Sequence, residues 1–306
     1  MKTMKAFALC LLALVMTMAA PVTAQPEAES ETPGVRLEQD DAAGQVRVYV
    51  RGEHFTTFNY GEDFRMPILW PVHGEGGLTM TRNWPMGEDA PVESTDHRHH
   101  MSMWTTHGDV NGLDFWHHET KSVRNVAVES GAERGVIRAE IQWVDSEGNA
   151  LIDEVREYHF YDGPPSARVF DLRITIQAGG DDVELGDTRE TGFFAFRIRP
   201  EIQGNQNGVL TNASGAQTQA NVWGLRSPWM SYAGPVEGVG NRGIAVFDHP
   251  SNFRFPAWWH VRDYGLVALN PFGASEFPET DEPGSHTLTA GEELSFLFRC
   301  YVHSGD

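Results

Sequence analysis

Six of the chain's thirteen histidines fall within residues 97–118, a stretch that follows Asp96 and also carries Trp104, Asp109, Asn111, Asp114 and Trp116. Imidazole titrates nearest to neutral pH of all side chains and is also a common metal ligand, so the cluster points to proton transfer, to metal binding, or to both. If residues 96–104 are extended, His97 and His99 project to one side of the strand while Asp96, Arg98 and His100 project to the other. A histidine pair at i, i+2 can chelate one divalent ion, with His107 or Asp109 completing the set. Zinc-finger and His-Glu-x-x-His spacings are absent. A metal ion on His97, His99 and His107 therefore stands beside a second reading, a hydrogen-bonded cluster of half-buried histidines that shapes a cleft. General acid or base use of His100 fits either.

A second concentration lies in residues 247–265, with Asp248, His249, Trp258, Trp259, His260, Arg262, Asp263 and Tyr264. Pro250 and Pro256 punctuate it, which predicts a long ordered loop between two strands. Aromatic faces mixed with His, Arg and Asp suit a sugar, whose C–H faces stack on rings while its hydroxyls bond to charged side chains. Core packing is the alternative for some of the nine tryptophans. Trp223, Trp229 and Tyr232, interleaved with Arg226, are a candidate further wall. Glu190, just ahead of an apolar run, is either a carboxylate at a strand mouth or a surface group paired with Arg189. The two blocks are expected to face one cleft. In it His100 and His260 are acid/base candidates with Glu190 as their carboxylate partner, Arg262 is a clamp, and Trp104 and Trp116 are stacking surfaces. Asp109, Asn111, Asp248 and His249 are polar contacts.

The elements that must hold these groups are strands. Apolar residues recur with period two in residues 46–50, 136–144, 155–161, 169–176, 193–198, 244–247 and 294–302. Turn-forming sequences separate several of them, at residues 146–149, 162–165 and 179–182. No stretch after residue 25 carries a 3.6-residue apolar stripe over three turns, so helices should be few and short. The expected fold is all-β, a large antiparallel sandwich of two twisted sheets with loops carrying the chemistry. No internal repeat or linker interrupts residues 35–303, so residues 35–306 are read as a single domain.

Composition narrows the partners. The chain has 306 residues, 40% hydrophobic and 22% charged, ordinary values for a folded body. Forty-three acidic against 23 basic side chains leave a formal charge of −20, which repels nucleic acid and anionic lipid. Lys2 and Lys5 precede an apolar run over residues 6–20, and Val22-Thr23-Ala24 supplies small residues for cleavage after residue 24. Residues 1–24 are thus read as a signal peptide, residues 25–34 as a flexible lead-in, and the mature protein as exported to the periplasm or beyond, with no membrane contact after cleavage. That leaves Cys300 as the mature chain's single cysteine, in an alternating run where a buried thiol is expected rather than a nucleophile.

The motifs resemble those of the secreted bacterial family labelled PmoA-like, or domain of unknown function 6807, over most of residues 36–303. The resemblance rests on Asp-His-Arg-His-His at residues 96–100, His-Gly-Asp-Val-Asn-Gly-Leu-Asp-Phe-Trp at 107–116, and Trp-His-Val-Arg-Asp-Tyr-Gly at 259–265 continuing to Asn-Pro-Phe-Gly at 270–273. The first label implies a methane mono-oxygenase subunit, an integral membrane protein; with no apolar span beyond the leader, that implication is rejected. The resemblance implies a large β-sandwich of the galactose-mutarotase type and, by association, a carbohydrate role. Arg98 stands where the family usually has proline, and Phe255 where a histidine often precedes Pro256. The leading expectation is an exported enzyme acting on a sugar or oligosaccharide by hydrolysis, elimination or epimerisation. A non-catalytic carbohydrate-binding protein and a mononuclear metal enzyme are the alternatives, and one divalent ion is the cofactor considered.

Overall fold

The computed structural model describes residues 34–87, 93–278 and 283–305. The expected signal peptide, and all but the last residue of the expected lead-in, lie outside them. The described residues form two eight-stranded antiparallel sheets and a two-stranded ribbon. The first sheet runs from edge to edge as β1 (Val35–Asp40), β2 (Gln45–Val50), β3 (Glu53–Asn59), β4 (Ile68–Val72), β5 (Met103–His107), β11 (Thr191–Arg197), β16 (Leu266–Asn270) and β15 (Trp258–Val261). The second runs β12 (Val209–Asn212), β13 (Trp229–Val236), β14 (Gly240–Asp248), β18 (Glu293–Ser304), β9 (Ala167–Ala178), β8 (Ala150–Tyr161), β7 (Arg134–Val144) and β6 (Thr120–Glu129). β10 (Val183–Leu185) and β17 (His286–Leu288) form the ribbon. Every run singled out by its period-two pattern is a strand. The longest helix among the described residues is α1 (Gln219–Val222), four residues.

The alternation dictates the layering. On β9, Arg168, Phe170, Leu172, Ile174 and Ile176 are buried while the residues between them are more open, so one face of the strand meets the opposite sheet. Aromatic side chains form the seam: Phe55 of β3 lies 5.9 Å from Phe160 of β8, Phe58 lies 5.6 Å from Tyr158, and Phe193 of β11 lies 4.3 Å from Phe296 of β18. Burying each such ring stabilises the fold by about 1.5–3 kcal/mol. Cys300 is fully buried in this core, as its sequence context predicts.

One polar network crosses the core and fixes β5. Glu154 receives Lys121 Nζ at 3.3 Å, Trp143 Nε1 at 2.7 Å and Arg156 Nε at 2.6 Å, and all three charged side chains are fully enclosed. Lys121 also donates to the Thr105 carbonyl at 2.9 Å, and Arg156 donates to the Thr105 hydroxyl and to the Pro67 carbonyl. Burial alone would raise the Glu154 pKa, but the charges of Arg156 and Lys121 prevail and hold it at about 2. Thr105 is the strand neighbour of Trp104, so the network sets the depth of the strand that carries the histidine block.

Candidate functional site

The first sheet carries a second apolar cluster on the face turned away from the main core, containing Met66, Ile68, Trp104, Trp116, Ala195, Leu266 and Ala268. Register defines it: Trp104 pairs with Ala195, Ala195 with Ala268, and Ala268 with His260. Directly paired residues share a face, so these four form one row across four strands, about 14 Å from end to end at roughly 4.8 Å per strand. The two alanines between the ends leave room for the Trp116 indole. Gly192 completes that floor: a Cβ there would lie 2.6 Å from Ala195 Cβ, 3.3 Å from Ala268 Cβ and 3.4 Å from Trp116 Cζ3.

The histidine block stands on this floor as a turn, not as a strand. His97 has φ +44°, and His100 N–H donates to the His97 carbonyl at 2.9 Å. The expected alternation of His97 and His99 against His100 therefore fails, and all three rings gather. His97 stacks on His100 (4.9 Å) and on Tyr264 (4.8 Å), and His100 stacks on Trp104 (5.3 Å). His99 meets His100 edge-on at 4.4 Å and His117 at 4.2 Å. Burial, reinforced by the charges of His117 and His97, lowers the His99 pKa to about 3. His100 is driven well below its ordinary value by burial and then by His99 and Arg197.

Buried arginines tie the loops down. Arg82 donates to the carbonyls of Ser94, Asp96 and His97 and to Asp96 Oδ1, and Arg197 reaches the same Asp96 oxygen at 3.0 Å. Burial would raise the Asp96 pKa, yet the Ser94 hydroxyl and Arg197 bring it down to about 2. Arg65 does the equivalent work for the other loop, donating to the carbonyls of Phe115 (2.8 Å) and Trp116 (2.9 Å). At the outer end of that loop His117 Nδ1 donates to Asp114 Oδ2 at 2.8 Å, with Glu190 Oε2 at 3.6 Å. His117 is 29% exposed and Glu190 38%.

Several sequence expectations change in this light. His107 does not join His97 and His99. Strand alternation on β5 puts it on the inner face, beside Phe272 and hydrogen-bonded to Thr191 Oγ1 at 2.6 Å. Among the described residues no group of three or more His, Cys, Asp or Glu side chains is arranged to hold a metal ion. Trp104 and Trp116 are each only 2% exposed, so they are the floor beneath the histidines and have no face free for stacking. Glu190 pairs with His117, not with His100 or His260.

Asp109 and Asn111 shape a turn, accepting from the N–H groups of Gly112 (2.9 Å) and Glu184 (2.7 Å). Asp248 is buried at the end of β14, holding Asn252 and the Ala257 N–H, and the exposed His249 bonds to Ser251. Both belong to the second sheet and its exit loop. His260 lies at the far end of the floor row, beside Phe277 and the Arg189 carbonyl, and Tyr264 stacks on His97, so the second block splits: Tyr264 adjoins the histidines, His260 is separated from Trp104 by two intervening strands, and Asp248 and His249 lie elsewhere. Trp229 stays with Phe247 of β14 at 6.4 Å, and Tyr232 is buried with its hydroxyl 3.0 Å from the Asp263 carbonyl, so neither walls the histidine cluster.

Asp114, His117 and Tyr264 were noted in the two blocks without a role of their own, and Arg82 and Arg197 were not singled out. The Asp-Phe-Trp-His spacing at residues 114–117 carried the one local signal, a carboxylate and an imidazole three residues apart that a turn brings together.

Comparison with known proteins follows this geometry. A family model described as "Family of unknown function (DUF6807)" matches residues 45–306. No curated protein matches the chain. Among solved structures, the Slr1438 protein of Synechocystis sp. PCC 6803 is similar at 11% identity and a TM-score of 0.38, over 92% of this chain and 100% of that one. A galactose mutarotase related enzyme of Lactobacillus acidophilus is similar at 8% identity and a TM-score of 0.31, over 88% of this chain and 97% of that one. HI1317 is similar at 11% identity and a TM-score of 0.28, over 92% and 97%. At such values these likenesses transfer neither activity nor residue roles.

Proposed function

We propose that this chain, which belongs to the DUF6807 family of unknown function, is an exported carbohydrate-active enzyme that moves a proton to or from a sugar at the His99, His117 and Glu190 end of the outer face. Hydrolysis, elimination and epimerisation all need that step. The observation that carries the reading is the Asp114–His117 pair: Nδ1–H is committed to the carboxylate at 2.8 Å, which leaves Nε2 to take a proton from a substrate O–H or C–H. The resulting imidazolium is offset by Asp114 and by Glu190 at 3.6 Å. His99 and His100, held neutral, act as polar walls. Tyr264, stacked on the partly exposed His97, offers the aromatic surface that the buried tryptophans do not.

The test is a screen of the purified protein against polysaccharides and oxidised sugars, reading both new reducing ends and unsaturation. His117→Gln should lower turnover about a hundredfold with the melting temperature nearly unchanged. Equal loss of activity and of folded protein would remove His117 from the chemistry.

A further inference from the structure

Trp229 and His249, both set apart from the histidine cluster, meet instead on the outer face of the second sheet. Register builds a row there: Trp229 pairs with Phe247, Phe247 with Arg299, Arg299 with Asp171, and Asp171 with His159. Directly paired residues share a face, so the row crosses five strands, from β13 to β8, over about 19 Å at roughly 4.8 Å per strand. Two aromatic rings stand at one end, 6.4 Å apart, Trp229 half-buried and Phe247 37% exposed. In the middle Arg299 grips Asp171 through two hydrogen bonds of 2.7 and 2.9 Å, and the Tyr161 hydroxyl donates to the same carboxylate at 2.8 Å.

The loop leaving β14 turns this row into a groove. Buried Asp248 accepts from Asn252 Nδ2 at 2.7 Å and from the Ala257 N–H at 2.9 Å, and Asn252 exchanges two bonds of 2.7 Å with the Leu297 backbone. Residues 249–252 are thereby pinned as a wall along β18. Between exposed His249 and Pro250 of that wall and Phe247, Arg299 and Asp171 of the floor lies a depression of about 630 Å³. Past Ser251 and Asn252 it continues into one of about 410 Å³ that reaches Tyr161 and His159, the two sharing Asp171 and Leu297. On the other side Trp229 borders a third, of about 430 Å³, above the small side chains of Ser231 and Ala233. Each lies within the size range of ligand sites.

The chemistry of the groove narrows its occupant. An apolar partner would strip water from the Asp171–Arg299 pair and return no hydrogen bond. A polyanion would meet the Asp171 carboxylate at the centre. Arg173 stands opposite Glu157 in register, so among the described residues along the groove the charges are offset except for Arg134 at its far end. Aromatic faces followed by a paired carboxylate and guanidinium match a chain of neutral pyranose rings, whose C–H faces stack while their hydroxyls both donate and accept.

We propose that this groove binds an extended neutral polysaccharide, with sugar rings lying on Trp229 and Phe247 and hydroxyls meeting Asp171 and Arg299. It rests on the carbohydrate reading given above and adds a non-catalytic hold on the polymer, on the sheet opposite the one that carries His117.

Electrophoresis of the full chain through gels containing xylan, mixed-linkage β-glucan or glucomannan, with polygalacturonate as the acidic comparison, tests it. At least one neutral polymer should retard the protein. Phe247→Ala, at an exposed position that leaves folding intact, should weaken that retention about tenfold or more. Phe247→Leu should behave as Phe247→Ala does, and Phe247→Trp should retain binding, because a ring is needed and not mere apolar area. His117→Gln should be retarded as the parent is while losing turnover. Passage through all three neutral gels without retardation, retention by polygalacturonate alone, or equal retention of Phe247→Ala would overturn the groove and leave the proposed function standing. A parent dimer in sedimentation that Phe247→Ala dissociates would also overturn it, assigning the face to a second copy. Retention of a parent that turns over no sugar would instead sink the proposed function and leave the groove.

Discussion

Arg197 donates from Nη1 to Nδ1 of His100 across 3.3 Å. A guanidinium has no lone pair to offer, so Nδ1 must be the bare nitrogen and the proton of a neutral ring must sit on Nε2. The ring is also 2% exposed and stacked between His97 and Trp104. Adding a second proton would aim two donors at each other inside an enclosed site. His100, expected from the sequence to exchange protons, is thereby fixed as a neutral donor. Nitrogen-15 NMR should find the His100 ring as the Nε2–H tautomer, unchanged from pH 8 to pH 5. An imidazolium signature at pH 6 would contradict the geometry.

The buried network under β5 predicts a large and specific stability effect. Glu154→Gln leaves Arg156 and Lys121 enclosed without their carboxylate, and breaking one partner of such a set typically costs about 3–5 kcal/mol. Chemical denaturation should register that loss. Because Thr105 is held by the same two cations, ring contacts at Trp104 should loosen as well, visible as a shift in tryptophan fluorescence. A variant as stable as the parent would mean that the charges are solvated.

The strands were legible because each half-buried strand must alternate, and residues 169–176 or 294–302 do so without interruption. The histidine block was legible as a concentration of imidazoles but not as a shape. A turn with His97 at φ +44° leaves no mark in a sequence where histidine is neither glycine nor asparagine. Arg82 and Arg197 were not singled out in the sequence, since arginine usually lies at the surface; only the closure of two loops over them makes them buried pegs. Trp104 and Trp116 invite a stacking role by type; strand register sends Trp104 underneath, and the turn over residues 115–118 brings Trp116 there. His107 was misassigned for the simplest reason: period two carries it to the opposite face from Trp104.

Gly192 ties the sheet to the site. A methyl group there would stand 2.6 Å from Ala195 Cβ, closer than packed carbons tolerate, with Ala268 Cβ at 3.3 Å and the Trp116 ring in contact at 3.4 Å, and overpacking of this kind costs about 1–3 kcal/mol. Gly192→Ala should therefore lower the melting temperature and lift Trp116, which carries His99 and His100 above it. Turnover should fall by more than the loss of folded protein explains. A crystal structure of the variant with Trp116 unmoved would uncouple floor from site.

The pH dependence of stability isolates His260. Burial, with Arg262 adding to it, lowers its pKa from the ordinary 6.5 to about 3 in the folded chain. Between those values the unfolded chain binds a proton that the native chain refuses. Stability must therefore rise with pH across that window, be complete above about 6.5, and be lost as pH falls toward 3. One such group is worth about 1.4 kcal/mol per pH unit, so roughly 3 kcal/mol between pH 6.5 and 4.5. Glu154, held at about 2, withdraws its contribution only below its unfolded value near 4.3, so the upper window reports histidines. His99 and His100 add to the slope in the same direction, His99 by less because it is partly open to solvent. His260→Asn keeps an N–H for the Arg189 carbonyl and removes the titrating ring. Whatever its baseline stability, denaturation midpoints of this variant should fall less steeply than the parent's between pH 6.5 and 4.5, by about one proton's worth. Parallel profiles would mean that the folded His260 ring accepts a proton as readily as the unfolded one, and that its Nε2 is open to water.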